Sequence, residues 1–123
     1  MWFPISTLVF GVLLTIAAGR GLAADVDVGK TAFKKCALCH PTEAGKNKIG
    51  PSLLGIVGRK SAALENFNYS EGMKKFEHDW DEQTLDLYLA DPRATVPGTK
   101  MIFPGNKDKT ERDDVIAYLK TLK

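Results

Sequence analysis

At 123 residues the chain has room for one domain, and 44% hydrophobic with 26% charged residues is the composition of a protein that buries a core. Its formal net charge at pH 7 is only +2, which by itself says little about partners; the distribution of charge along the chain says more.

The chain opens on an apolar run. From Trp2 to Ala18 the only strongly polar side chains are Ser6 and Thr7, and Gly19-Arg20-Gly21-Leu22-Ala23-Ala24 then supplies small residues for cleavage before Asp25. This predicts a secretory signal peptide over residues 1–24 and a mature domain over 25–123 that is exported to the periplasm. The alternative is an uncleaved membrane anchor. About 17 apolar residues reach the lower edge of the spanning range, but Pro4 and Gly11 interrupt them, no basic side chain precedes them, and Arg20 follows them. Removal of the leader takes Arg20 away and lowers the net charge by one.

Asp27 is placed to cap a short helix through Lys30-Thr31-Ala32-Phe33. Gly29 and Phe33 are four apart and share a face. Glycine inside a helix costs about 1 kcal/mol, so Gly29 predicts that another element approaches closely. Between Gly45 and Gly58, four glycines and Pro51 predict a loop. A short helix is predicted after Ser70 to about Lys75. A longer one runs from Asp81 to Ala90, with Leu85 and Leu89 on one face and Tyr88 beside them, and Pro92 ends it. Thr110-Glu111-Arg112-Asp113 resembles a capping box, after which Val115, Ile116, Leu119 and Leu122 repeat at helical spacing with Tyr118 at the edge. The simplest packing crosses the two terminal helices at Gly29. No sustained alternating pattern of the kind a sheet needs is present. The fold class is therefore all-α, three to five short helices joined by long loops that need something to wrap around.

The stretch Cys36-Ala37-Leu38-Cys39-His40 supplies that something. Two thiols three positions apart can add across the two vinyl groups of one porphyrin, and a histidine directly after the second is then held under the iron as an axial ligand. The motif reads as covalent attachment of one haem c through Cys36 and Cys39, with His40 on the iron. The competing readings are a redox disulfide and half of a zinc site. Zinc takes about four ligands, and beyond this motif the chain offers only His78 and no further cysteine. A redox dithiol wants a strand leading into it, whereas the approach here is lysine-rich and helical in pattern. A mature domain this small buries little apolar surface by itself. Covering a porphyrin face contributes on the order of 10 kcal/mol, so haem belongs to the core.

A histidine alone leaves one axial position open, and the sixth ligand decides between binding chemistry and electron transfer. Met101 is the candidate. It lies in Val96-Pro97-Gly98-Thr99-Lys100-Met101-Ile102-Phe103-Pro104-Gly105, where prolines and glycines shape a loop able to present a thioether. Met73 reads as core packing. Charge is unevenly distributed around these motifs. Residues 30–60 carry Lys30, Lys34, Lys35, Lys46, Lys48, Arg59 and Lys60 against Glu43 alone, while residues 61–97 carry eight acids against three bases. Such a molecule is a strong dipole, basic on the sequence flanks of the haem motif.

Together with Gly50-Pro51-Ser52-Leu53, Gly58-Arg59-Lys60, Phe67-Asn68-Tyr69-Ser70, Trp80, Tyr88-Leu89 and Ala117-Tyr118-Leu119, these motifs make the stretch from Val28 to Leu122 resemble class I cytochromes c. The likeness is to the mitochondrial protein and, in the export leader, to the short bacterial c-two type. The resemblance implies a monohaem one-electron carrier cycling between Fe(II) and Fe(III), not an enzyme, with His40 and Met101 as axial ligands. It implies that the Pro51 carbonyl accepts the proton of the ligating imidazole and keeps it basic. Arg59, Tyr69 and Trp80 would bond or neutralise the haem propionates, which cannot be left unpaired at low dielectric, and Tyr88 and Thr99 would lie near the methionine sulfur. Met73 stands where the mitochondrial protein has an asparagine, which implies a smaller, drier polar network.

On this reading the partners of a monomeric carrier are redox proteins with acidic docking patches: a cytochrome bc-type complex, an oxidase, a reaction centre or a dehydrogenase. Nucleic acid is not among them, and a membrane is only if the leader is retained. Two other functions stay open. A haem peroxidase or ligand-binding sensor requires a labile sixth site, and a tethered subunit dedicated to one oxidase or dehydrogenase requires the uncleaved leader.

Overall fold

The computed structural model describes Met1 and residues 23–123; the leader predicted over residues 1–24, with its anchor alternative, lies outside the described residues except at those ends. Among the described residues there are six helical segments: α1 (Val26–Ala32), α2 (Lys34–Ala37), α3 (Glu71–Phe76), α4 (Glu82–Ala90), α5 (Pro92–Thr95) and α6 (Lys109–Leu119). An isolated antiparallel bridge between Lys60 and Asp79 is the only β pairing among them. The all-α class holds, with more segments than the periodicity predicts because α2 and α5 are single turns of four residues.

Each boundary has a local cause. The Asp25 carboxylate, not that of Asp27, caps α1, accepting from Asp27 N at 3.0 Å and Val28 N at 3.1 Å. Asp27 then sits in the first turn, where its charge suits the helix dipole. Phe33 divides α1 from α2 while keeping a right-handed helical backbone, and its carbonyl accepts from Cys36 N at 2.8 Å and Ala37 N at 3.0 Å. Ser70 and Asp81 cap α3 and α4 as their spacing predicts, through Met73 N at 3.0 Å and Thr84 N at 2.7 Å. Pro92 both follows the end of α4 and opens α5, whose cap is Asp91. For α6 the cap is Asp108, which accepts from Thr110 N and Glu111 N, so the expected capping box at Thr110 is displaced by two residues.

The terminal helices cross at Gly29. A Cβ there would lie 1.9 Å from the Asp114 carbonyl oxygen, so only glycine lets the backbones meet. Beside the crossing, Asp25 N donates to Asp114 Oδ1 at 2.7 Å and the Phe33 and Tyr118 rings pack 5.1 Å apart. α4 is tied to the same helix by Arg112, which donates from Nε to Asp86 at 2.8 Å and from Nη1 to the Asn106 carbonyl at 2.9 Å. Phe33 at the end of α1 and Leu85, Tyr88, Val115, Ile116 and Leu119 from α4 and α6 join Ile56, Trp80 and Val96 from the loops in one buried cluster. The helices enclose only one side of this core. The segments 38–70 and 96–108 cover the other, and between them they leave a slot.

Candidate haem-binding site

The slot has a volume of about 520 Å³, and its walls include all ten residues that the sequence singles out: Cys36, Cys39, His40, Pro51, Arg59, Tyr69, Trp80, Tyr88, Thr99 and Met101. The fold brings them together from α2, α4 and three loops. Leu85, Val115 and Leu119 from the helical core line the same space, so it is apolar where it meets the interior and polar at a few points.

His40 follows α2 and is set by the loop that folds back beneath it. Gly50 N donates to the Cys39 carbonyl at 2.9 Å and Leu53 N to the Pro41 carbonyl at 2.8 Å. The Asn47 side chain accepts from Ser52 N at 3.0 Å, and the Ser52 hydroxyl donates to the Glu43 carbonyl at 2.7 Å. The result places the Pro51 carbonyl oxygen 2.8 Å from His40 Nδ1. Nδ1–H donates there, which leaves the Nε2 lone pair for a metal. Burial pushes the imidazole's pKa down; the bond to Pro51 opposes this, and the Arg59 charge adds to it. The ring is therefore held neutral, the form that ligates. Burial pushes the Cys36 thiol up, with Lys35 opposing.

The polar end is built by a short pairing of residues 58–61 with 78–80. Gly58 N donates to the Trp80 carbonyl, Trp80 N to the Arg59 carbonyl and Ser61 N to the His78 carbonyl, each at 2.8 Å. This pairing sets Arg59 beside Trp80. The guanidinium donates to the carbonyls of Ser52 at 2.8 Å and Leu54 at 3.2 Å. Burial lowers its pKa, and among the described residues no carboxylate pairs with it. Tyr69 accepts from Leu64 N at 3.3 Å, which leaves its own O–H to donate. A half-buried cation without an acid, next to a free phenol donor, suits an anionic group within the slot. The propionates of a haem are such groups.

On the Met101 loop, the Tyr88 hydroxyl meets Thr99 Oγ1 at 2.7 Å, and Met101 N donates to the same oxygen at 3.4 Å. Burial raises the Tyr88 phenol's pKa, against the bond to Thr99. Met73 packs against the core as expected, yet it also lines the slot. Two glycines matter here whose contacts the sequence does not show, Gly50 within the Gly50-Pro51-Ser52-Leu53 motif and Gly72 outside every motif. A Cβ on Gly50 would lie 2.3 Å from His40 Cε1, and one on Gly72 would lie 1.9 Å from the Pro97 carbonyl oxygen. No group of three or more His, Cys, Asp or Glu side chains gathers to hold a metal among the described residues, so the zinc reading finds no further ligands there.

Two thiols, a neutral imidazole and a thioether on the walls of one apolar slot, with a half-buried cation at its polar end, have the chemistry of a haem c site. The comparisons with known proteins agree. Residues 26–123 match the cytochrome c family. Cytochrome c2 from Rhodoplanes tepidamans is 49% identical over 96 residues, covering 77% of this chain and 90% of the relative. Cytochrome c2 from Blastochloris viridis is 44% identical over 115 residues, 92% of this chain and 91% of that one. The structure of cytochrome cH from Methylobacterium extorquens superimposes with a TM-score of 0.75 at 44% identity, covering 80% of this chain and 99% of its own. The chain belongs to the cytochrome c family. Its cofactor is one covalently bound haem c, and it is an electron carrier rather than an enzyme.

Proposed function

We propose that the mature protein is a periplasmic one-electron carrier in which Cys36 and Cys39 hold the haem covalently and His40 and Met101 are the axial ligands. The observation that carries this reading is the convergence of all four on one slot from two distant stretches of sequence, residues 36–40 and the loop at Met101. Bound haem supplies the Fe(II)/Fe(III) couple. The Pro51 carbonyl orients the His40 ring and keeps its Nε2 basic. Arg59, Tyr69 and Trp80 receive the propionates, and the Tyr88–Thr99 hydroxyl pair steadies the loop from which Met101 reaches the slot. A site closed on both faces exchanges electrons without admitting substrate, and apolar walls limit reorganisation of solvent.

The partners we propose are redox proteins that present an apolar spot ringed by acids. Ile49 and Ile102 both line the slot and are 78% and 81% exposed, an unusual exposure for large apolar side chains. Lys35, Lys60 and Lys100 line the same opening. Lys30, Lys34, Lys46 and Lys48 line a neighbouring groove behind His40. Among the described residues no helix is long and apolar enough to cross a membrane, and the export assignment rests on the leader's sequence. The experiment that tests the ligand set is Met101→Ala. It retains haem covalently, loses the near-infrared Met–iron band of the oxidised protein, and binds carbon monoxide when reduced, which the parent does not do. A variant that stays low-spin with an unchanged potential would show that another residue holds the sixth position.

A further inference from the structure

α3 touches the loop that carries Met101 at a position with no side chain. A Cβ on Gly72 would lie 1.9 Å from the Pro97 carbonyl oxygen and 3.1 Å from its carbon, so the helix backbone rests directly on the loop four residues before Met101. Nothing local asks for glycine there. Gly72 lies inside the helix, its φ is not in the left-handed region, and alanine is the better helix former. The contact with Pro97 is what excludes a side chain.

The stretch just before α3 holds the loop a second time, because Lys100 Nζ donates to the Asn68 carbonyl at 3.2 Å. α3 is itself fixed at its start by the buried Ser70 hydroxyl, which accepts from Met73 N at 3.0 Å. From the other direction Tyr88 on α4 holds Thr99. The loop is thus seated between α3 and α4, and the α3 side closes only because position 72 lacks a Cβ.

We propose that Gly72 is a positioning residue for the sixth ligand: by letting α3 meet the Pro97 carbonyl, it sets how deeply the Met101 loop seats on the slot, and so how firmly Met101 holds the iron. The inference rests on Met101 being that ligand. Any side chain at position 72 must drive the Pro97 carbonyl oxygen from 1.9 Å back by about 1.5 Å to reach ordinary contact. Gly98 and Thr99 pass that displacement on to Met101.

The test compares Gly72→Ala, Ser70→Ala and Lys75→Ala as oxidised holoproteins. The near-infrared Met–iron band and the far-ultraviolet helix signal are followed through one thermal melt, and the reduction potential is measured separately. Gly72→Ala is expected to keep its covalent haem and its helix signal at room temperature. Its band is lost about 5 °C or more below the helix melt, a separation the parent lacks, and its potential falls as the sulfur ligand weakens. Ser70→Ala, which loosens α3 without adding a Cβ at the contact, moves the same way by less. It decides the matter alone if Gly72→Ala does not accumulate as folded protein. Lys75→Ala, exposed on α3 and away from the slot, leaves band and potential unchanged. Gly72 would be merely structural if band and helix signal melted together in Gly72→Ala, and that result, or an unchanged Ser70→Ala when it stands alone, overturns the proposal. Failure of the ligand assignment looks different: the parent then lacks the band, or Met101→Ala keeps it.

Discussion

The Nδ1 of His40 stands 2.8 Å from the carbonyl oxygen of Pro51, and the loop between them is shaped to keep it there. Proline has no N–H to engage elsewhere, so its peptide plane is fixed by the neighbouring bonds of Gly50, Ser52 and Leu53. The imidazole is thereby held in one orientation and one tautomer. Gly50, buried against the ring, makes the approach possible.

Gly50→Ala should therefore act on ligation through packing alone. Its Cβ would fall 2.3 Å from His40 Cε1 and 2.6 Å from Nδ1, so either the ring turns or the loop lifts, and both break the bond to Pro51. The expected loss is about 1–3 kcal/mol of holoprotein stability, read from guanidinium unfolding. A change within about 0.5 kcal/mol, as for an ordinary surface substitution, would mean that the loop gives way freely and does not orient the ligand.

The helix crossing makes a second, independent prediction. Helix propensity favours alanine over Gly29 by about 1 kcal/mol, but the Cβ would meet the Asp114 carbonyl oxygen at 1.9 Å. Backbone cannot swing aside as a side chain tip can, so contact outweighs propensity. Gly29→Ala should lose about 2 kcal/mol or more, whereas Thr31→Ala, two residues on and exposed, should change little. Stabilisation by Gly29→Ala would show that α1 and α6 separate without cost.

These two glycines mark the limit of what the sequence makes legible. Gly29 stands inside a helical pattern, where its cost alone announces a neighbour, and the C-terminal apolar repeat supplies one. Gly50 and Gly72 sit among turn residues or in a short helix, where glycine is unremarkable until a distant carbonyl or ring is brought against it. The caps at Ser70 and Asp81 are readable because each stands directly before the helical pattern it opens. Asp25 and Asp108 pre-empt Asp27 and Thr110 because each lies upstream and reaches two free N–H groups at once. All ten slot residues are legible as motif members, yet the partnerships of the lysines are not. Lys35 reads as a free surface charge, and the fold gives it Glu111 at 3.1 Å.

That pair sets a pH dependence. Asn106 and then Lys35 bond the Glu111 carboxylate and hold its pKa below the ordinary 4.5. With the native value below the unfolded one, the carboxylate's contribution is fully present above about pH 4.5 and is lost as pH falls through the lower native value. Both side chains are partly exposed, so the contribution is about 0.2–1 kcal/mol. The measurement compares guanidinium midpoints of the parent and Glu111→Gln at about pH 7 and again well below the unfolded carboxyl range. The gap between them should close in acid; a constant gap would mean that the bonds, not the charge, carry the stabilisation.

The last prediction separates steering by a docking face from the effect of net charge. Lys35 is paired with Glu111 and Lys100 is engaged with the Asn68 carbonyl, so reversing either would disturb α2 or the Met101 loop as well as the field. Lys60 is free of that complication. It lines the slot opening, is exposed, and is joined to Asp79 only through the backbone bridge. Lys123 is also exposed but does not line the opening. Reversal to glutamate at either position changes the net charge equally. Attraction between an acidic partner and the slot face should raise the association rate and weaken as the Debye length shrinks from about 30 Å at 0.01 M salt to about 8 Å at 0.15 M. Stopped-flow electron transfer to an acidic redox partner at low salt should therefore slow several-fold in Lys60→Glu and much less in Lys123→Glu, and the two should converge on the parent as salt rises. Equal slowing by both would show that total charge governs the encounter and that the lysines around the slot form no docking face.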